Sequence, residues 1–217
     1  PSTTTGLVRL GNAVVTAIIH FAMLLAPYGV AALIFTVSSR FGFDLMLAVA
    51  AFVITVLVAL LAHVAITLSS ILRFLIGMSP LMFFSRIRAA LVTAFSTSSS
   101  SATLPAALAA CRERLGIAPS TAGFVMPLGT TMNMSGTALY EGCVVLFVAQ
   151  VFGVHLGLVE QVTLVFLSVL SAVAVAAIPG GSLPLIAGLL VAFGIPPEGI
   201  GIILGVVIGV VAALNLF

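Results

Sequence analysis

Apolar residues run almost unbroken through positions 13–37 and again through 45–72, with only the short polar turn 40–44 between them. A bilayer core takes about 20 residues of helix to cross, so each stretch predicts a spanning helix, and so short a turn makes the two antiparallel neighbours. Pro27 removes a backbone donor from the first and predicts a kink there, with Tyr28 beside it suited to an interface. Past residue 86 the pattern changes. Segments 87–95 and 103–110 are apolar but too short to cross, and they flank Ser98, Ser99, Ser100 and Ser101. They predict a re-entrant helical hairpin tipped by serines. A longer apolar stretch, 124–151, is opened by Pro119 and Ser120 and interrupted at 130–137 by the run TTMNMSGT. Polar side chains and a glycine at that depth predict a discontinuous helix, unwound over 133–137. Beyond the loop 153–161, the short segments 162–177 and 185–193 flank a second breaker run, IPGGSLP at 178–184. This is the pattern of a second hairpin, entering from the opposite side. A last apolar segment, 200–217, reads as a spanning helix cut by the chain end.

Hydroxyl-rich or glycine-rich backbone at membrane depth strands donors and acceptors in lipid, so it is tolerated only where protein buries it or where water and solute reach it. The two breaker runs end alike, SATLP at 101–105 and GGSLP at 180–184. Short hairpins of opposite approach, each followed by a spanning segment, are the signature of an inverted repeat.

Composition fixes the class. Only 6% of the 217 residues are charged and 62% are hydrophobic, against about 25% charged in a soluble domain, and the mean hydropathy is +1.41. This is an integral membrane protein. Five arginines, Arg73, Arg86, Arg88, Arg112 and Arg114, fall close together, whereas the later loops carry Glu160 and Glu198. The positive-inside rule therefore places loops 73–90 and 111–118 in the cytoplasm. A net charge of +2 spread over such loops, without interleaved aromatics, implies no nucleic-acid partner. Cys111 and Cys143 have no metal-like or disulfide-like spacing and read as packing residues. His20 and His63 stand singly on apolar helices and also read as packing, and His155 falls in a loop. The start of the chain has no basic region before a short apolar core, so no signal peptide is expected and the chain reads as beginning partway into a longer fold. No GxSxG, HExxH or phosphate loop is present, and the acids form no close pair, so no enzyme is expected.

The candidate chemistry lies in the breaks. The half-helix starting near residues 102–103 turns its first N–H groups, with their partial positive charge, toward the serine run, which suits a carboxylate. Serine hydroxyls add donors without fixed charge, although small hydroxyl residues also serve close helix packing. The unwound 133–137 stretch frees carbonyl oxygens of the kind that coordinate Na⁺. Asn133 adds an amide oxygen and Thr137 a hydroxyl, the alternative being a glycine kink satisfied by neighbouring helices. Glu141 follows Thr137 on the same helical face. An intramembrane acid is a functional candidate, with pairing to Arg86 or Arg88 as the other reading.

In order, SSSSATLP (98–105), MPLGTTMNMSGTALYEG (126–142), AAIPGGSLP (176–184) and GIGIILGV (199–206) resemble the sodium:dicarboxylate and glutamate transporter family over nearly the whole chain. An archaeal member of that family is one of the proteins from which the inverted-repeat pattern is drawn. The resemblance implies an all-α integral membrane protein with the inverted-repeat elevator fold, two re-entrant hairpins and a discontinuous transmembrane helix. It implies a homotrimer in lipid, in the inner membrane of the cell, that couples uptake of acidic or neutral amino acids or C4-dicarboxylates to Na⁺ without an organic cofactor. Residues 1–43 would be a scaffold helix for trimerisation and 44–217 the transport domain. The latter comprises a spanning helix 45–72, hairpin 84–115, broken helix 119–152, hairpin 158–194 and truncated last helix 199–217. Substrate would be held by Ser98, Ser99 and Ser100, by Thr137, and by a gate of Ile178, Pro179, Gly180 and Gly181. Carbonyls of Gly129 and Asn133 would serve one Na⁺, and those of Thr131, Ala172, Val173 and Val175 a second. Two departures stand out. Ser135 replaces the acid of the family's NMDGT, and Val207, Val211 and Leu214 stand where its last helix carries Asp, Arg and Asn. The competing reading is a degenerate member acting as a non-transporting membrane subunit or passive pore.

Overall fold

The computed structural model describes residues 47–175 and 181–196, together with Val14, Tyr28, Phe35 and Gly201, each of the four in helical backbone. Of the two units into which the chain divides, nearly all of these belong to Ala50–Gly199. The expected spanning segment 13–37, the scaffold 1–43 and the last helix 199–217 lie outside the described residues apart from those four, as do Ile178, Pro179 and Gly180 of the second tip. Among the described residues every regular element is helical and none is a strand.

Helix α1, Leu47–Leu75, contains no Gly or Pro and is long and apolar enough to cross a membrane. Only 11% of its apolar window is buried, and side chains such as Leu61 (68% exposed) and Phe74 (81%) stand clear of protein. Exposed apolar surface on that scale does not persist in water, whereas facing lipid it costs nothing. Two stretches of α1, His63–Leu68 and Ile71–Leu75, are π-helical, and Ser69 Oγ, just past the first, donates back to the Val64 carbonyl at 3.0 Å. Gly77, at φ +72°, turns the chain out of the helix.

Two helices then form a hairpin. Pro80 occupies the first turn of α2, Pro80–Arg86, where its missing N–H is no loss. Next come α3, Arg88–Thr97, and α4, Ser100–Ala109, which pack against each other; α4 runs on through a π turn, Ala110–Arg114. The second arm therefore begins at Ser100, not near residues 102–103. The reason is local: Ser99 is extended, and its Oγ accepts from the Ala102 N–H at 3.3 Å, the preferred N-cap arrangement for serine.

The broken helix consists of α5, Pro119–Met132, and α6, Ser135–Val151. Together they form the second segment able to cross a membrane. The break is narrower than the sequence suggested, because only Asn133 and Met134 leave helical geometry. Ser135, Gly136 and Thr137 form the first turn of α6, where backbone N–H groups need no intrahelical partner and weak helix formers are tolerated. Helix α7, Leu158–Ala174, begins four residues before the expected 162, with Glu160 in its first turn complementing the helix dipole and the Gln161 side chain donating to the Leu156 carbonyl at 2.9 Å. Helix α8, Leu183–Ala192, carries Pro184 in its first turn.

Helix α6 is the centre of the packing. Val144, Val145 and Val148 are fully buried, as are Ile186 and Leu190 of α8, with Leu164 of α7 close behind. Helix α1 runs antiparallel along α6, meeting it at three successive levels. Phe52 stacks on Phe147 with ring centroids 4.6 Å apart. Leu60 comes so near Gly136 that a Cβ there would lie 3.7 Å from its Cδ2. His63 reaches Ser135.

Candidate functional site

The site grows from the break between α5 and α6. Asn133 (φ −123°, ψ 72°) and Met134 (φ −109°, ψ 59°) turn the chain between the two helices. Asn133 N–H donates to the Gly129 carbonyl at 3.0 Å and Ala138 N–H to that of Met134 at 3.1 Å. The carbonyls of Thr130, Thr131 and Met132 are thus left beyond the last α5 bond, and the N–H groups of Ser135, Gly136 and Thr137 before the first α6 bond. One helix presents its negative end and the next its positive end at the same place. The threonine hydroxyls turn back on α5, Thr130 Oγ1 donating to the Pro127 carbonyl at 2.8 Å and Thr131 Oγ1 to that of Leu128 at 2.9 Å.

Across from the break stands the hairpin tip. Ser98, at φ 48° and ψ 30°, is the one non-glycine residue in the left-handed region among those described, its N–H held by the Ala94 carbonyl at 2.9 Å. That single turn lets α3 double back into α4 and leaves the N–H groups of Ser100 and Ser101 at a helix start. A cleft of about 580 Å³ lies between tip and break, lined by Ser100 from α4 and by Gly129, Thr130, Asn133, Ser135, Gly136 and Thr137. A smaller one of about 270 Å³ adjoins it, lined by Ser98, Ser99, Ser100 and Thr130 among others. A third cavity, about 480 Å³, is bounded by Asn133 and Ser135 of the break and by Ala172 and Val173 of α7.

Of the residues singled out from sequence, Ser100, Gly129, Asn133 and Thr137 share the 580 Å³ cleft, and Ser98 and Ser99 the adjoining one. Ala172 and Val173 meet the break from its other side, through Asn133. Thr131, Val175 and Gly181 line none of these three cavities. Glu141 is fully buried with the Ser171 hydroxyl beside it, and no hydrogen bond ties its carboxyl oxygens to Arg86 or Arg88. Ser168 Oγ and Tyr140 Oη are buried without hydrogen-bond partners among the described residues. Burying a charged carboxylate unpaired costs several kcal/mol, and Glu141 lines none of the three cavities. Burial also pushes the Cys111 thiol up from its ordinary range, as suits an inert packing residue.

One residue escaped the sequence reading. His63 reads from sequence as a packing residue, yet its Nε2 lies 3.0 Å from Ser135 Oγ. Nothing local announces this pairing, which exists only because α1 lies along α6.

The oxygen set at the break fits a hard monovalent cation. It consists of neutral backbone carbonyls and the Asn133 amide, and no group of three or more His, Cys, Asp or Glu able to hold a metal occurs among the described residues. Residues 2–210 match the sodium:dicarboxylate symporter family. The chain is 35% identical over 189 residues to the proton/sodium-glutamate symport protein of Bacillus subtilis (strain 168), a stretch covering 87% of this chain and 44% of that one. It is 33% identical over 187 residues to the proton/glutamate-aspartate symporter of Escherichia coli (strain K12), covering 86% and 42%. It is 37% identical over 155 residues to excitatory amino acid transporter 2 of Homo sapiens, covering 71% and 27%. The chain thus spans less than half the length of each of these relatives.

Proposed function

The chain belongs to the sodium:dicarboxylate symporter family, a family of membrane transporters and not of enzymes, and from that premise we propose that the intact protein is a Na⁺-coupled secondary symporter. Its solutes are acidic or neutral amino acids or C4-dicarboxylates. The observation that carries this reading is the cleft in which the start of α4 faces the broken helix, with Ser100, Asn133 and Thr137 on its walls. A solute carboxylate accepts hydrogen bonds from the Ser100 N–H at the start of α4, from the hydroxyls of the serine tip, Ser98, Ser99 and Ser100, and from Thr137. Na⁺ takes carbonyl oxygens of Gly129 and Asn133, and a second Na⁺ those of Thr131, Ala172, Val173 and Val175. A cation held within the same cleft raises affinity for the anion and the anion raises affinity for the cation by the same factor, which is what coupling requires.

In this reading residues 84–115 and 158–194 are re-entrant hairpins, and 178–181 gate the cleft from outside. The transport domain 44–217 moves as an elevator against scaffold 1–43 in a homotrimer of the inner membrane, a multi-pass protein with loops 73–90 and 111–118 cytoplasmic. The test is uptake of radiolabelled aspartate, glutamate and succinate by proteoliposomes holding the intact protein, with and without an inward Na⁺ gradient. Na⁺-dependent accumulation of at least one is expected. Absence of all three would leave the non-transporting subunit or passive pore as the better account.

A further inference from the structure

Hydroxyls on these helices mostly turn back on their own backbone: Thr55 donates to the Ala51 carbonyl, Thr93 to that of Ala89 and Thr163 to that of Val159. In apolar surroundings that is the default, since each hydroxyl satisfies itself locally. Ser135 behaves differently. Its Oγ lies 3.0 Å from Nε2 of His63, 72 residues earlier in the chain and on another helix. Ser135 is the first residue of α6 after the break, and it borders both the 580 Å³ cleft and the 480 Å³ cavity. The other contacts along this pair of helices, Leu60 against Gly136 and Phe52 against Phe147, are apolar. Such contacts hold two helices together but leave them free to slide by small amounts, whereas a hydrogen bond fixes axial register. Here it does so at the level of the cleft. His63 is itself the first residue of the π stretch of α1, so the bond stands where the helix changes pitch.

We propose that His63 is a positioning residue for the cleft. Through Ser135 it fixes where the first turn of α6, with the N–H groups of Ser135, Gly136 and Thr137, stands relative to α1, and so sets how well those groups meet a bound carboxylate. The identity of that carboxylate, a transported amino acid or dicarboxylate, rests on the transport reading above. The bond forms with either neutral tautomer, Nε2 donating or accepting, so the role needs no change of charge on the ring.

The experiment is a double-mutant cycle on the intact protein, read by uptake kinetics and by thermal unfolding. His63→Ala and Ser135→Ala should each raise the solute concentration for half-maximal uptake about tenfold while the maximal rate changes less than about twofold, the size expected for one hydrogen bond made to a binding turn. The double variant should be no worse than about the same tenfold, because the two residues act as one unit. His63→Gln, whose amide can still donate or accept, should recover most of the loss. An unchanged half-saturation in His63→Ala, losses that multiply in the double variant, or a His63→Gln as impaired as the alanine would each overturn the inference. If His63→Ala does not fold, Ser135→Ala and His63→Gln decide it. Thermal midpoints keep this inference separate from the transport reading: a wild type that takes up none of the solutes defeats that reading, while additive midpoint losses defeat the pairing whether or not the protein transports.

Discussion

Ser100 and Ser168 are the same residue in opposite settings. Ser100 opens α4 on the rim of the cleft, whereas Ser168 is 2% exposed on α7, its hydroxyl without a hydrogen-bond partner among the described residues. Ser100→Ala should weaken solute affinity about tenfold, the loss of a hydrogen bond to a charged group. Ser168→Ala removes an unsatisfied buried hydroxyl, so affinity should hold and stability should stay level or rise by up to about 1 kcal/mol. Half-saturation of uptake and thermal midpoint, measured on both variants, distinguish the two; equal losses of affinity would mean the serine tip serves packing alone. At this scale the sequence was informative wherever a residue type was out of place for lipid. The serine run, Asn133 and Glu141 all stood out, and the first two border cavities at the break and the tip. His63 did not, because a single histidine on an apolar helix carries no sign of a partner that only tertiary packing supplies.

For the elements, the order of short and long helices was legible, and their edges were not. Apolar run length told α3 and α4 from the spanning α1, since lipid thickness sets the length a crossing helix needs. The edges moved because capping chemistry, not hydropathy, decides them. Capped by Ser99, α4 starts three residues before the apolar pattern begins, and Ser135 to Thr137 join α6. The tip itself is held by Ser98 in left-handed backbone, a conformation that costs a residue with a Cβ roughly 1 kcal/mol relative to glycine. Ser98→Gly should therefore keep the hairpin and stabilise the fold by up to about 1 kcal/mol, read as a higher thermal midpoint, whereas the β-branched Ser98→Val should lower the midpoint. If Val is tolerated as well as Gly, the left-handed turn does not govern the α3–α4 connection.

At the largest scale, the described helices present a surface that only a membrane accommodates, and composition alone was sufficient to say so. What composition could not supply was which helices touch. The lengthwise pairing of α1 with α6 depends on side-chain fit at Phe52, Leu60 and His63, and no hydropathy pattern encodes it. Orientation in the bilayer belongs to this scale too. In a background with Cys111 and Cys143 replaced by alanine, Ser79→Cys before α2 and His155→Cys before α7, both at exposed positions, should label with a membrane-impermeant maleimide from opposite faces, Ser79→Cys from the cytoplasmic one. Labelling of both from one face would reverse or abolish the two-sided arrangement of loops. The π turn at His63–Leu68 adds a consequence of another kind. A π turn accommodates one residue more than an α turn spanning the same rise, so losing one residue between 64 and 68 returns the helix to α geometry without shortening its reach, leaving His63 and all before it in register. That makes this turn the natural place for a single-codon gap when genes of differing length through this helix are aligned.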